Sequence, residues 1–172
     1  MRRSLLLLTA TALAGTPAGA ADPPKNAVPD GLAGTWQHGW IDFEVWENYP
    51  ERKYAGRNAT PMREAMVIHK DGRAKYYRYE FAFGLYEELV DCEGKVTFHG
   101  DGTFTFTPSK GRKRFIDTRN PTNTKDRPLT EAELKNPKWA GTRRYEHDPA
   151  ADPDALTIKV PTSAAYKWYR RK

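Results

Sequence analysis

Apolar and polar residues alternate with a period of two along most of the chain from residue 34 onward. This is the period of a β-strand that buries one face, and it recurs in about eight to ten short segments. In the segment AKYYRYEFAF, one face carries Tyr77, Tyr79, Phe81 and Phe83. The opposite face carries Tyr76, Arg78 and Glu80. Alternation leaves open which face is buried, but it predicts an all-β fold.

The turns between these segments predict hairpins. The first strand is expected in WQHGWIDFEVW, from Trp36 to Trp46, and a long polar loop follows it as far as Pro61. Two later turns contain glycine, at Lys70-Asp71-Gly72-Arg73 and at His99-Gly100-Asp101-Gly102. Asp-Gly between strands favours a tight hairpin turn whose two central residues adopt positive φ. We therefore expect antiparallel strands that are linked mainly by hairpins.

The alternation stops between residues 118 and 139, where the sequence is polar and contains several prolines. Thr130 and Glu133 have the spacing of a capping box, which begins a helix. Pro137 limits that helix to about two turns. The sequence thus predicts an antiparallel up-and-down β-barrel of about eight strands, with one short helix before the final hairpin. Closure of the barrel removes exposed strand edges, and eight strands enclose side chains or one small ligand.

The N-terminal residues are predicted to be a secretory signal peptide and not part of the fold. Arg2 and Arg3 precede a leucine-rich run that is too short to span a bilayer, and small residues follow it. Cleavage is expected after Ala20 or Ala21, so the mature protein is periplasmic or secreted, without a membrane span. The predicted division is a signal peptide over 1–21, a flexible linker over 22–30 and a single domain over 31–172.

The charge of the chain is mildly basic and lies in short runs. The full chain has a formal net charge of +6, and loss of Arg2 and Arg3 lowers the basic count from 28 to 26 against 22 acids, or +4. The runs are Lys110–Arg114, Arg143-Arg144 and the C-terminal RRK. We expect solvated side chains there, with an anionic envelope surface as the alternative partner. Export argues against nucleic-acid binding.

Motifs that identify common enzymes and metal sites are missing from the sequence. The four histidines, at positions 38, 69, 99 and 147, have no partner at the spacing of metal ligands. Cys92 is the only cysteine, so no intramolecular disulfide forms, and we expect its thiol to be buried. We predict no catalytic residues, no metal and no cofactor, although an enzyme built on the barrel is left open.

A resemblance to a known family rests on both ends of the predicted barrel. Gly34-Thr35-Trp36, which opens the first strand, resembles the G-x-W signature of the lipocalins and related calycin barrels. The resemblance implies that Trp36 seals one end of the barrel and packs against an arginine of the last strand, here Arg170 or Arg171. It implies a structural role for Gly34, Trp36 and Arg170. The chain differs from the family in its early helix and its lack of a disulfide.

The barrel architecture places a candidate ligand pocket among the aromatic side chains of the strands. If their faces point inward, the pocket residues are Tyr77, Tyr79, Phe81, Phe104 and Phe106. If the faces are reversed, Arg78 or Glu80 supplies polar groups instead. The loop Glu47–Pro61 is a candidate lid.

The function that we predict is that of an exported, monomeric lipocalin-like protein that binds a small hydrophobic or amphipathic molecule in its barrel. One alternative is a cell-envelope interaction module with basic and aromatic surface patches. The other is an enzyme on the same barrel. A filled barrel would rule out both the ligand-binding protein and the enzyme, and is what the interaction module predicts.

Overall fold

The computed structural model describes residues 27–39, 62–159 and 165–171. Three sequence predictions lie outside these residues: the signal peptide over 1–21, the strand segment 40–46 and the candidate lid Glu47–Pro61. Among the described residues, no helix has the length and apolar character needed to cross a bilayer.

The described part of the chain contains nine strands, one turn of 3-10 helix and one short α-helix. The strands are β1 (Gly34–His38), β2 (Met62–Ile68), β3 (Arg73–Ala82), β4 (Tyr86–His99), β5 (Thr103–Asp117), β6 (Lys125–Pro128), β7 (Gly141–Glu146), β8 (Ala155–Lys159) and β9 (Tyr166–Arg170). The 3-10 turn is Pro121–Asn123, and the helix α1 is Glu131–Leu134.

Eight of these strands close into an antiparallel barrel in the order β1-β2-β3-β4-β5-β7-β8-β9, and β9 pairs back to β1. The ninth, β6, pairs with the second half of β5, while β7 pairs with its first half. The prediction of an all-β barrel with one short helix is confirmed. The segment GRKRFID belongs to β5 and does not form a separate strand.

The hairpin between β2 and β3 differs from the predicted turn in one respect. The amide of Gly72 donates to the carbonyl of His69 at 2.9 Å, so Lys70 and Asp71 are the central residues of the turn. Gly72 follows them with φ of 80°, and Asp71 accepts a hydrogen bond from the Arg73 amide. Glycine is therefore required after the turn, where the chain re-enters the strand.

The helix α1 is shorter than predicted, at four residues and about one turn. Its capping box is confirmed, because the Thr130 side chain accepts from the Glu133 amide and Glu133 accepts from the Thr130 amide. The indole of Trp139 donates to the carbonyl of Glu133 at 3.0 Å and so satisfies a carbonyl of the helix. Trp139 is itself buried in the barrel core.

The main core of the protein is the barrel interior. It contains buried side chains from strands all around the barrel, among them Trp36, Met66, Tyr76, Phe106, Leu156 and Trp168. A second buried cluster uses only β2 to β5 and lies on the other face of those strands. Its members are Ala65, Tyr77, Tyr79, Leu89 and Ile116. Both faces of this part of the sheet are thus covered.

Candidate functional site

The lower end of the barrel, where β1 begins and β2 ends, contains Trp36. Its side chain is fully buried, and its indole donates to the carbonyl of Leu32 at 2.9 Å. The guanidinium of Arg170 lies 4.5 Å from the centre of the Trp36 ring. It also donates to the carbonyls of Ala33 and Gly31 and pairs with Asp154. These hydrogen bonds connect β9 to the segment before β1.

Gly34 makes this arrangement sterically allowed. Its φ is 140°, and a Cβ at this position would lie 2.5 Å from Nη1 of Arg170. A side chain there would displace the guanidinium from the tryptophan ring.

The interior beside Trp36, toward the lower end of the barrel, has almost no free space. The cavity between Trp36, Met66, Phe104 and Trp168 has a volume of about 10 Å³, which is no larger than one water molecule requires. A small organic ligand therefore does not fit in this part of the barrel.

The structure divides the five predicted pocket residues between two faces. Phe104 and Phe106 belong to the main core inside the barrel. Tyr77 and Tyr79 belong to the second cluster, on the opposite face of their strand, and the partly buried Phe81 packs against it. The division follows from the period of two, because the same strand points Tyr76 inward. The five residues do not form one wall, and ligand contact by any of them remains a prediction.

The inward face of β2 and β3 carries a group of polar side chains, which we call the buried polar cluster: Glu64, Tyr76, Arg78 and Glu80, with Arg143 from β7. Glu64 and Arg78 are cross-strand neighbours in the register of β2 and β3. The Tyr76 hydroxyl donates to Glu64 at 2.5 Å, and Arg78 donates to Glu80 at 2.5 Å. Arg78 Nε also lies 3.6 Å from Glu64. These contacts connect β2 to β3 beside the apolar core.

Arg143 joins the cluster from the other side of Tyr76. Its guanidinium lies 5.2 Å from the centre of the Tyr76 ring, and Nη2 donates to the carbonyl of Lys138 at 2.8 Å. The Tyr76 hydroxyl is 3.4 Å from the same carbonyl. Tyr76 is therefore held between an acidic and a basic side chain.

Burial controls the protonation of Tyr76. Desolvation, followed by the negative charge of Glu64, raises the pKa of the Tyr76 phenol well above its usual value. For Arg78, desolvation acts to lower the pKa, but the hydrogen bond and charge of Glu80 more than offset it, and the pKa is raised. The phenol thus stays protonated and the Arg78 guanidinium stays charged at ordinary pH.

Two atoms of the buried polar cluster have no hydrogen-bond partner: Oε2 of Glu64 and Nη1 of Arg143. Both residues are only 3% exposed. Buried polar atoms almost always have a partner, and a missing one points to a bound water, an ion or a ligand. The cluster is therefore the strongest candidate site among the described residues.

The other sequence candidates occupy different environments. Cys92 is buried as predicted, and burial raises the pKa of its thiol to about 12, with a further effect of Asp91. The basic run Lys110–Arg114 lies in β5, where its side chains pair with acids: Lys110 with Glu93, Lys113 with Glu88, and Arg112 and Arg114 with Asp126. No group of three metal-binding side chains occurs within the described residues.

Sequence reasoning did not identify Glu64 and Arg143 as site residues. Arg78 and Glu80 were noted only as an alternative to the aromatic face. The sequence did indicate that Arg78 and Glu80 share one strand face with Tyr76 in AKYYRYEFAF. That this face points inward became clear only from the register with β2.

Comparisons with known proteins give little further information. No family model matches the chain, and no curated protein sequence matches it. Among solved structures, the chain is similar to the lipoprotein YedD from Klebsiella pneumoniae subsp. pneumoniae, with 10% identity and a TM-score of 0.42 over 88% of this chain and 80% of that one. At this level of similarity we infer nothing about function.

Proposed function

We propose that the chain is an exported, lipocalin-like protein that binds a small molecule at the buried polar cluster. The observation that carries the proposal is the pair of unpartnered atoms, Glu64 Oε2 and Arg143 Nη1, in a closed barrel. The filled interior beside Trp36 argues against a site at the lower end of the barrel. The ligand is correspondingly more polar than an apolar barrel interior would accept.

The chemistry of the cluster favours binding over catalysis. Converging titratable groups are also a feature of enzymes, but general acid–base catalysis needs a group whose pKa lies near the working pH. Tyr76 has its pKa raised well above the usual value, and two of the other groups are guanidinium ions. Three of the five side chains therefore exchange no proton at ordinary pH.

Native mass spectrometry of the mature protein, purified gently from the exported fraction, tests this proposal. We expect a co-purifying small molecule that is lost on denaturation. Glu64→Gln is expected to lower the occupancy about tenfold, since hydrogen bonds to charged groups contribute about 1.5–3 kcal/mol. The matched control is Glu93→Gln, because Glu93 is a partly exposed carboxylate that pairs with Lys75 and Lys110.

The proposal is wrong if the protein carries no small molecule and no compound of a polar-ligand panel raises its melting temperature. It is also wrong if Glu64→Gln and Glu93→Gln leave the same occupancy. Melting temperatures of both variants separate loss of binding from loss of fold.

A second candidate function, an envelope interaction module, is favoured by the turn between β3 and β4. Phe83 is 94% exposed there, and Leu85 is exposed beside it. Such exposed apolar residues mark contact sites when they are contiguous. Cross-linking in envelope extract compares Phe83→Ser with Tyr169→Ser, an exposed aromatic on β9. Equal cross-linking of the two variants would remove this candidate.

A further inference from the structure

Arg143 differs from Arg78 of the same cluster because no carboxylate of the described residues lies within ion-pair distance of it. It is 3% exposed, and the groups that it bonds to are neutral: the carbonyl of Lys138 and the Tyr76 hydroxyl. The ring beneath it belongs to Tyr76, whose raised pKa keeps the phenol neutral. A buried cation without an anion is costly, by several kcal/mol for an ion that is desolvated alone.

The carboxylates of the cluster form their ion pairs with other cations. Arg78 lies 3.6 Å from Glu64 and 2.5 Å from Glu80, and the partly exposed Lys138 lies 3.8 Å from Glu80. Among the described residues, neither carboxylate lies within ion-pair distance of Arg143. A water molecule satisfies a free N–H donor, but it leaves the charge of the guanidinium uncompensated.

We infer that the ligand of the buried polar cluster is an organic anion, whose carboxylate or other anionic oxygen binds Nη1 of Arg143. This inference rests on the proposed function and specifies the ligand class. Oε2 of Glu64 is an acceptor, so the same ligand also presents a hydrogen-bond donor, such as a hydroxyl or amino group. Guanidinium groups suit planar anions, which they bind in a fixed geometry.

The first experiment measures stability in the absence of added ligand. If no anion compensates the charge of Arg143 in the free protein, Arg143→Met raises the melting temperature of the dialysed protein by about 2–4 °C. The carbonyl of Lys138 keeps the Tyr76 hydroxyl nearby in this variant. The matched control is Arg78→Met, which leaves two carboxylates without their shared cation and lowers the melting temperature by about 6 °C or more.

The second experiment measures thermal shifts with benzoate, benzyl alcohol and benzylamine at equal ionic strength, with acetate as a smaller anion. The ring suits the aromatic neighbours Tyr76 and Phe106, whose centres are 5.9 Å apart. We expect a benzoate-dependent shift in the wild type and none in Arg143→Met. Arg143→Lys keeps the charge but loses the planar fork, so benzoate binding should weaken about tenfold.

The outcomes separate this inference from the proposed function. If the alcohol or the amine stabilises the wild type as well as benzoate does, or if a co-purifying compound carries no acidic group, the inference fails while small-molecule binding stands. If Arg143→Met is destabilised and responds to benzoate like the wild type, Arg143 is structural and the inference fails. If no compound co-purifies and no probe acts, the proposed function itself fails.

Discussion

Two arginines of the barrel lie over aromatic rings, and the protein gives them very different hydrogen-bond and ion-pair partners. Arg170 lies 4.5 Å from the Trp36 ring, donates to two carbonyls and pairs with Asp154. Arg143 lies 5.2 Å from the Tyr76 ring, donates to one carbonyl and has a free Nη1. The protein satisfies both the charge and the hydrogen bonds of Arg170. It leaves Nη1 of Arg143 without a partner.

The difference fits the proposal that Arg143 binds a ligand while Arg170 stabilises the fold, at otherwise similar contacts. A satisfied arginine stabilises the fold that contains it, because its desolvation is offset by partners. An unsatisfied one lowers stability in the free protein and gains its partner only when something binds. Of these two arginines, the satisfied one lies at the lower end of the barrel and the unsatisfied one lies in the buried polar cluster.

The largest expected effect is at Trp36. Trp36→Ala removes a fully buried side chain between the filled core and Arg170, and it should lower the free energy of unfolding by about 3–5 kcal/mol. Urea denaturation followed by circular dichroism measures this. A loss below about 1 kcal/mol would mean that the lower end does not carry the stability assigned to it.

Arg170→Met gives the most direct test of the comparison. It removes the ion pair with Asp154 and leaves the carbonyls of Ala33 and Gly31 without their donor. The expected loss is about 2–3 kcal/mol, whereas Arg143→Met is expected to gain stability. Changes of the same sign for the two variants, measured in the same denaturation series, would contradict the comparison.

Gly34→Ala sharpens the lower half of the comparison. The new Cβ would lie 2.5 Å from Nη1 of Arg170 on a backbone with φ of 140°, so we expect a loss of about 1–3 kcal/mol. In the Arg170→Met background the clash with the guanidinium is gone, so only the loss from the strained backbone conformation at position 34 should remain. A double-mutant cycle measures that coupling, and additive losses would show that the glycine does not serve the arginine.

The capping box of α1 should contribute about 1 kcal/mol at neutral pH, a smaller and pH-dependent effect. The hydrogen bond from Arg127, and then that from the Thr130 amide, lowers the pKa of Glu133 to about 2 from 4.5. Because the folded pKa is the lower one, this stabilisation is present above pH 4.5 and is lost as the pH falls toward 2. Glu133→Gln should therefore be less stable than wild type at pH 7 and equal to it near pH 2. A difference that persists unchanged at low pH would exclude this role.

The smallest expected effect is at Phe83. Because its side chain is almost fully exposed, Phe83→Ser should change stability by less than about 0.5 kcal/mol. A larger loss in thermal denaturation would show that the turn between β3 and β4 is packed and is not a free surface.

Much of the fold was predictable from local sequence signals. Strand periodicity, the glycine turns near Gly72 and Gly102 and the capping box at Thr130 all depend on neighbouring residues, and all appear in the structure. The length of β5 was less predictable, because its second half carries several cations. Those cations are paired with acids on β4 and β6, which are not local in sequence.

The candidate site was less predictable because it depends on which face of β3 is buried. Large aromatic residues suggested that Tyr77 and Tyr79 point inward, yet the register with β2 places Arg78 inside, opposite Glu64. A buried charge is unfavourable without a partner, and although Glu80 is two residues from Arg78, Glu64 is fourteen residues away. Arg143 was read as part of a basic run, although the period of β7 separates it from Arg144, which is exposed.

The pairing of β1 with β9 also determines the order in which the molecule is expected to fold. Arg170 bonds to Ala33 across 137 residues of sequence, whereas β2–β3, β4–β5 and β8–β9 are close in sequence. Contacts at long separation form late, because the loop entropy must be overcome first. We therefore expect the Trp36–Arg170 contact to form after the folding transition state, so that it governs the lifetime of the native barrel and not the rate of its formation.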